Sequence, residues 1–102
     1  MHYAILCYDA ESAIEAWTEE QDAAAIAKLE VVQDELRRQG KLGPVARLMP
    51  TTSAATLRKG RRDAVLMDGP FAETKEQLLG FFIVDCVTWD DAVAAAKELS
   101  AA

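Results

Sequence analysis

The segment from Asp68 to Gln77 is the part of the chain richest in groups that can do chemistry. It reads Asp-Gly-Pro-Phe-Ala-Glu-Thr-Lys-Glu-Gln and follows a predicted strand. Polar residues at strand ends are where binding and catalytic sites are often built. If an apolar cleft desolvates the Asp68 carboxylate, its pKa rises, which suits a general acid or base. Lys75 could instead pair with Asp68 and hold it ionised, and the sequence does not choose between the two.

The same residues also make a good turn. An Asp side chain can bond its own backbone, Gly supplies a positive φ, and Pro fixes φ at about −65°. Spacing alone therefore favours a structural turn over a site at Asp68. A turn does not account for Phe71, an aromatic residue that belongs to no periodic apolar stripe.

A few other residues are weaker candidates. Tyr8, Arg47 and Arg58 could line a cleft and bind an anionic substrate, because arginine presents a planar fork to carboxylates. Residues of these types are more often rim or hairpin residues. His2 is the only histidine and lies beside the terminus, where a surface role is the better interpretation. No metal site is predicted, because the two cysteines lack CxxC spacing.

Length and charge limit the classes of function. The chain has 102 residues, enough for one domain, and 17 acidic against 11 basic residues give a net charge of −6. An acidic balance argues against binding to nucleic acid, which needs clustered Lys and Arg. No apolar window is long enough to cross a membrane, and no charged leader precedes an apolar stretch. A cytoplasmic protein without nucleic-acid or membrane partners is predicted.

Hydrophobic periodicity and capping signals predict two helices and about five short strands. Thr18 and Gln21 form a capping-box pair and Gly40 supplies the stop of the first helix, while Thr88 caps the second. Asp68-Gly69-Pro70 must break a strand, and the charged segment that follows is predicted to make a helical turn. The predicted strands are Tyr3–Tyr8, Pro44–Met49, Ala54–Arg58, Asp63–Met67 and Leu78–Cys86; the helices are Glu19–Gln39 and the segment after Thr88, and the helical turn is Ala72–Gln77.

The strand content predicts an α+β fold in which two helices cover one face of an antiparallel sheet. In the last strand, the pleat sends Phe81 and Ile83 to one side and Phe82 and Val84 to the other, so both sides are apolar. The first strand repeats this pattern. Since two helices cover only one face, we infer that a second copy of the chain packs on the other.

The sequence resembles a known family. Asp68 to Gln77, together with the apolar strand ending at Asp85, closely resembles the signature of the YCII-related family, specifically the branch named for its DGPF motif. The segments Arg47–Thr52, Ala55–Arg58 and Tyr3–Tyr8 are similar too, so the likeness covers nearly the whole chain, residues 1–102, as a single domain. The resemblance implies a ferredoxin-like α+β fold and a dimeric α+β barrel.

For function, the resemblance implies a small enzyme without cofactor or metal, lyase- or isomerase-like or monooxygenase-like, with a small-molecule ligand in a cleft. Asp68 is carried over as the acid or base, with Tyr8, Arg47, Phe71 and Lys75 as substrate-binding candidates. The alternative is a non-catalytic ligand-binding or regulatory module associated with extracytoplasmic-function sigma factors, whose genes stand beside or are fused to those of this family.

Two features depart from the family pattern. The better-known branch carries a histidine near the start of the long helix, whereas this chain reads Glu-Glu-Gln-Asp-Ala-Ala over residues 19–24. Similar proteins usually continue past the last helix into a further strand, and this chain ends at Ala102. Either the sheet has one strand fewer, leaving an edge for the dimer to cover, or the chain is shortened.

Overall fold

Five strands and three α-helices make up the part of the chain that a computed structural model describes, residues 1–60 and 62–101. The strands form two antiparallel sheets, one with the order β1-β5-β2 and one made of β3 and β4. The elements are β1 (His2–Asp9), α1 (Glu11–Glu15), α2 (Glu19–Arg38), β2 (Leu42–Arg47), a 3₁₀ turn (Thr51–Ser53), β3 (Ala55–Arg58), β4 (Val65–Asp68), β5 (Gln77–Asp85) and α3 (Trp89–Ala101).

The pairing of β1 with β5 confirms that both faces of the main sheet are apolar. Ile5 lies opposite Phe82, so these two side chains share one face. Leu6 lies opposite Phe81 and points the other way. Exposure follows this alternation, because Phe82 is buried whereas Leu6 is 53% exposed. We call the face that carries Ala4, Leu6, Phe81 and Ile83 the open face.

Helices α2 and α3 cover the opposite face of the main sheet, as predicted. The core there joins Leu36 of α2, Phe82 of β5 and Leu99 of α3, all buried. Val84, which is fully buried, forms a second group with Cys86 and Ala92. The fold is a ferredoxin-like α+β fold with its core between this face and the two helices. The apolar residues of α2 that recur at steps of three and four form a stripe towards this core, and its members are half-buried or buried: Ala25, Leu29, Val32 and Leu36.

The predicted helix ends are also confirmed. The Gln21 backbone N–H donates to Thr18 Oγ1 at 3.1 Å, and the Thr18 N–H donates to Gln21 Oε1 at 3.0 Å, which completes a capping box. Gly40 follows α2 with φ +71°, in the left-handed region that glycine adopts without strain. At α3, the Asp91 N–H donates to Thr88 Oγ1 at 3.1 Å.

The structure differs from the sequence predictions in three places. The strands β3 and β4 form their own sheet, because Pro50 and the 3₁₀ turn interrupt the chain after β2. The short helix α1 was not predicted. The helical turn predicted over Ala72–Gln77 is wrong, because these residues form bends and the first residues of β5, and the Gln77 Nε2 group donates to the Ala72 carbonyl at 3.0 Å.

The turn predicted between β3 and β4 spans Lys59 to Arg62, and Arg61 lies outside the described residues. Within the described parts of the chain, no helix combines the length and the apolar character needed to cross a bilayer.

Candidate functional site

A cavity of about 350 Å³ lies at one end of the main sheet, between α1 and the end of β2. This volume falls in the range of small-molecule sites. Its polar groups are Arg47 at the end of β2 and Glu11 and Glu15 on α1. The apolar part of its wall comes from Ile14, Leu48, Met49, Pro50, Leu78 and Leu79. We call this space the Arg47 cavity.

The guanidinium group of Arg47 supplies positive charge to this cavity. Its Nη1 atom lies 3.1 Å from Oδ1 of Asp22 on α2. One such ion pair engages only part of a group that carries five N–H donors, and the Arg47 side chain is 61% exposed. The Asp22 pair therefore anchors the arginine while donors remain for an anionic ligand.

The carboxylate of Glu11 closes the other side of the Arg47 cavity. It accepts hydrogen bonds from the Thr51 hydroxyl and from the Thr51 backbone N–H, the latter at 2.9 Å. These bonds from the Thr51 side chain and backbone lower the pKa of Glu11 below its ordinary value. Glu11 is thus an ionised acceptor that ties α1 to the turn after β2, and it is poorly suited to donate a proton.

Asp68 lies outside this cavity. It is the last residue of β4, opposite Ala55, and it is exposed. Gly69 follows with φ +97°, its N–H donates to the Ala54 carbonyl at 2.7 Å, and its carbonyl accepts from Thr56 Oγ1 at 2.8 Å. These bonds close the base of the β3–β4 hairpin, which agrees with the turn interpretation of the motif. Asp68 lines neither the Arg47 cavity nor a second cavity, which lies between β1 and α3.

Phe71 and Lys75 belong to the exposed segment that follows Asp68. Phe71 is 74% exposed, and the guanidinium carbon of Arg58 lies 5.2 Å from the centre of its ring, a cation–π contact. The guanidinium group of Arg58, a weak candidate for anion binding, is therefore already in contact with the Phe71 ring. Lys75 is exposed, and no ion pair found among the described residues joins it to Asp68.

Tyr8 lies in a different place again. It lines a second cavity, of about 560 Å³, between β1 and α3, with Cys7, Phe82 and Lys97 among its neighbours. Burial raises the pKa of the Cys7 thiol, which makes this cysteine a poor nucleophile. The structure thus distributes the five predicted site residues over three locations and leaves only Arg47 in the cavity at the sheet end.

A partly buried ion pair joins Lys41, the residue before β2, to Asp91 in the first turn of α3. Lys41 Nζ donates to Asp91 Oδ1 at 2.9 Å, and this hydrogen bond raises the pKa of Lys41. Burial, followed by the charge of Asp91, raises the pKa of the Cys86 thiol beside them. These three side chains therefore favour a structural contact between the start of β2 and α3 over a catalytic site. Across residues 1–60 and 62–101, no three His, Cys, Asp or Glu side chains cluster closely enough to hold a metal ion.

Comparison with known proteins identifies the family. A family model described as the YCII-related domain matches residues 1–102. The chain belongs to the YCII-related family. A relative in this family is an uncharacterized protein of Rhizobium meliloti (strain 1021), 54% identical over 100 residues that cover 98% of this chain and 81% of that relative.

Sequence reasoning on this YCII-related chain missed the acidic side of the cavity. Glu11, Glu15 and Thr51 were not among the candidate residues that the sequence indicated. Four positions separate Glu11 from Glu15, which is the spacing of one helix face and was the only available signal. Nothing local connects Glu11 with Thr51, since 40 positions separate them.

Proposed function

We propose that this protein, as a DGPF-branch member of the YCII-related family, is a cytoplasmic homodimer that binds a small organic acid in the Arg47 cavity and acts on it by acid–base chemistry without a cofactor. The supporting observation is the cavity itself, in which Arg47 is the one cation of the described lining, which also holds Glu11, Glu15 and six apolar residues. A guanidinium group recognises a carboxylate, and the walls suit an aliphatic or aromatic body. The ligand class is therefore a small amphipathic carboxylic acid.

The surface area of one subunit supports the homodimer. The chain exposes 7854 Å², whereas a compact monomer of 11.1 kDa exposes about 5,700 Å². Its radius of gyration is 16.1 Å, against about 13 Å for a compact domain of this length. The excess area is of the size that obligate dimers bury.

The open face is the apolar surface for a second subunit to cover. Leu6 and Phe81 lie opposite each other there, flanked by Ala4 and Ile83. Exposed patches of this kind mark interaction sites in soluble proteins. Burying the open face against its own copy would form a sheet-to-sheet interface, which is the dimeric barrel arrangement that the sequence resemblance implies.

Asp68 is the proposed acid or base. In one subunit Asp68 is exposed and does not line the Arg47 cavity, so the proposed chemistry depends on the second subunit to bring Asp68 to a bound ligand. Tyr8, Phe71 and Lys75 remain substrate-binding candidates on the same condition. Abstraction of a proton next to a carbonyl group is the reaction that one carboxylate can perform without help from a cofactor.

Phenylpyruvate is a suitable probe, because it combines a carboxylate, an aromatic ring and an acidic C–H group. We expect the wild-type protein to accelerate exchange of that proton in D₂O, followed by NMR, and Asp68→Asn to lower the rate by about 100-fold or more. Asp63→Asn, in the same hairpin, is the matched control and should exchange like the wild type. If Asp68→Asn and the wild type exchange the proton at equal rates, the catalytic role of Asp68 is refuted.

Binding is tested separately from catalysis. Benzoate should raise the melting temperature more than the neutral benzamide, and Arg47→Met should remove this difference. Arg37→Met is the control, because Arg37 also pairs with an aspartate of α2, Asp34, but does not line the cavity. Equal shifts from benzoate and benzamide in the wild type would contradict carboxylate recognition by Arg47.

The second candidate function is a non-catalytic module that binds a ligand or regulates an extracytoplasmic-function sigma factor. The observation that favours it is the hydrogen bonding of Gly69 to Ala54 and Thr56, which gives the motif a structural task. This candidate predicts that benzoate binds but that the wild type does not accelerate proton exchange in phenylpyruvate.

A further inference from the structure

The hairpin formed by β3 and β4, residues 55–68, which we call the arm, lacks cover on both of its faces. Leu57 and Leu66 lie opposite each other and are 66% and 70% exposed. On the other face, Val65 and Met67 are also exposed. A two-stranded hairpin by itself is marginally stable in water, so this arm is expected to pack against another surface. Its own subunit supplies little, since β3 and β4 contact chiefly each other.

Charge is divided unevenly between the arm and the start of the chain. The described residues at the arm tip include three cations, Arg58, Lys59 and Arg62, which we call the basic loop. No Lys or Arg precedes Lys28. Residues 9–22, which we call the acidic segment, carry six carboxylates: Asp9, Glu11, Glu15, Glu19, Glu20 and Asp22. The two regions therefore have opposite charge within a chain whose net charge is −6.

The ion pairs found among the described residues do not connect these two regions. The acidic segment pairs once, through Asp22 with Arg47, and none of its pairs involves the described residues of the basic loop. Glu15, Glu19 and Glu20 are exposed, as are Arg58, Lys59 and Arg62. Within one chain these regions form no ion pair among the described residues, so their opposite charges are free to meet between two copies of the chain.

We infer that the arm of one subunit packs on the other subunit, with its basic loop against the acidic segment of the partner. The inference rests on the homodimer proposed above and adds a specific contact to it. A twofold axis makes the exchange reciprocal, so each dimer contains two such contacts. Because Glu11 and Glu15 also line the Arg47 cavity, the tip of the arm would lie at the edge of that cavity, whereas Asp68 lies at the opposite end of the hairpin, at its base.

Charge reversal tests this contact. Lys59→Glu with Arg62→Glu replaces two cations of the loop with carboxylates, and Glu19→Lys with Glu20→Lys replaces two carboxylates of the segment with ammonium groups. Each double variant should dimerise about tenfold or more weakly than the wild type in sedimentation equilibrium at low salt, because four charges per dimer then repel. When the two variants are mixed, both contacts become attractive again, and native mass spectrometry should find the heterodimer in preference to either homodimer.

The controls separate folding and net charge from the contact. Lys28→Glu with Lys97→Glu changes the net charge as much as the loop variant but should dimerise like the wild type. Glu19→Gln with Glu20→Gln removes the two negative charges without placing lysines at the start of α2. This variant should weaken the dimer less than the lysine variant does.

The outcomes are distinct. A wild-type protein that is monomeric at micromolar concentration would overturn both the proposed homodimer and the arm exchange. A wild-type dimer whose stability the loop and segment variants leave unchanged, or variants that do not prefer the heterodimer, would overturn the arm exchange alone. Proton exchange in phenylpyruvate, measured on the wild-type dimer, tests the proposed chemistry separately from the arm contact.

Discussion

At the scale of single residues, the contact between Glu11 and Thr51 builds the candidate site. It joins a five-residue helix to the turn after β2, and a helix of that length has little stability of its own. The two hydrogen bonds from Thr51 favour the charged form of the carboxylate, which is why the pKa of Glu11 is lowered. The ionised form of Glu11 is therefore the form that ties α1 to the turn beside the cavity.

This linkage predicts an acid-sensitive contribution to stability. Because the pKa of Glu11 is lower in the folded than in the unfolded protein, its stabilisation is complete above the unfolded value and is lost as the pH falls through the folded value. Glu11→Gln should therefore flatten the dependence of the free energy of unfolding on pH over that acidic range, measured by urea unfolding. Glu15→Gln, which changes an exposed residue four positions on, should leave that dependence unchanged. A Glu11→Gln profile that follows the wild-type profile would contradict the assignment.

At the scale of elements, the capping box fixes where α2 begins and so where Asp22 meets Arg47. Thr18 and Gln21 satisfy each other's backbone donors, and Asp22 follows directly in the first turn of the helix. A helix that begins at Glu19 places the Asp22 carboxylate 3.1 Å from the arginine. The local capping signal thus positions a charged group at the edge of the Arg47 cavity.

Removing the cap should destabilise the protein measurably. We expect Thr18→Ala to lower the free energy of unfolding by about 1 kcal/mol, as for other N-cap replacements. Thr52→Ala, which truncates an exposed threonine in the 3₁₀ turn, is the matched control and should change stability by less than about 0.5 kcal/mol. Urea unfolding followed by circular dichroism measures both values, and equal losses in the two variants would argue against a capping role.

At the scale of the whole molecule, the subunit is a thin two-layer structure, with extents of 46, 36 and 18 Å. Its fully buried apolar side chains lie between one face of the sheet and the helices, while the open face and the arm keep large apolar groups in water. A small core of this kind gains much of its stability from association. The proposed dimer is the arrangement that covers both surfaces.

A charge on the open face should break that association. In the proposed dimer, burial of each Leu6 side chain contributes about 1.5–3 kcal/mol to the free energy of association. Because the dimer contains two such side chains, Leu6→Asp should weaken dimerisation by at least about 100-fold. Val31→Asp, at a position on α2 that is 71% exposed, is the control and should leave the dimer intact. Sedimentation equilibrium gives both constants. Unchanged dimerisation of Leu6→Asp would place the interface elsewhere.

The site shows where sequence reasoning reached its limit. Arg47 was predicted to bind a carboxylate, and it does line a cavity, but Tyr8 lies in another cavity and Asp68 lies at the base of the arm. Which side chains meet at one place depends on the path of the chain between them. The hairpin of β3 and β4 could have packed against the main sheet or stood apart from it. No local pattern in the sequence of the hairpin indicates which of the two arrangements forms.

By itself, the sequence determined the features that depend on neighbouring residues: both ends of α2, the cap of α3, the stripe of Leu36 and Leu29, and the two apolar sides of β5. These follow from hydrogen bonds and periodicities that span only a few positions. Only the tertiary structure decided the pairing of Glu11 with Thr51, the position of Arg47 against Asp22, and the separation of the arm from the sheet. Such contacts join residues that lie far apart in the chain, and their geometry is set by the packing of whole elements.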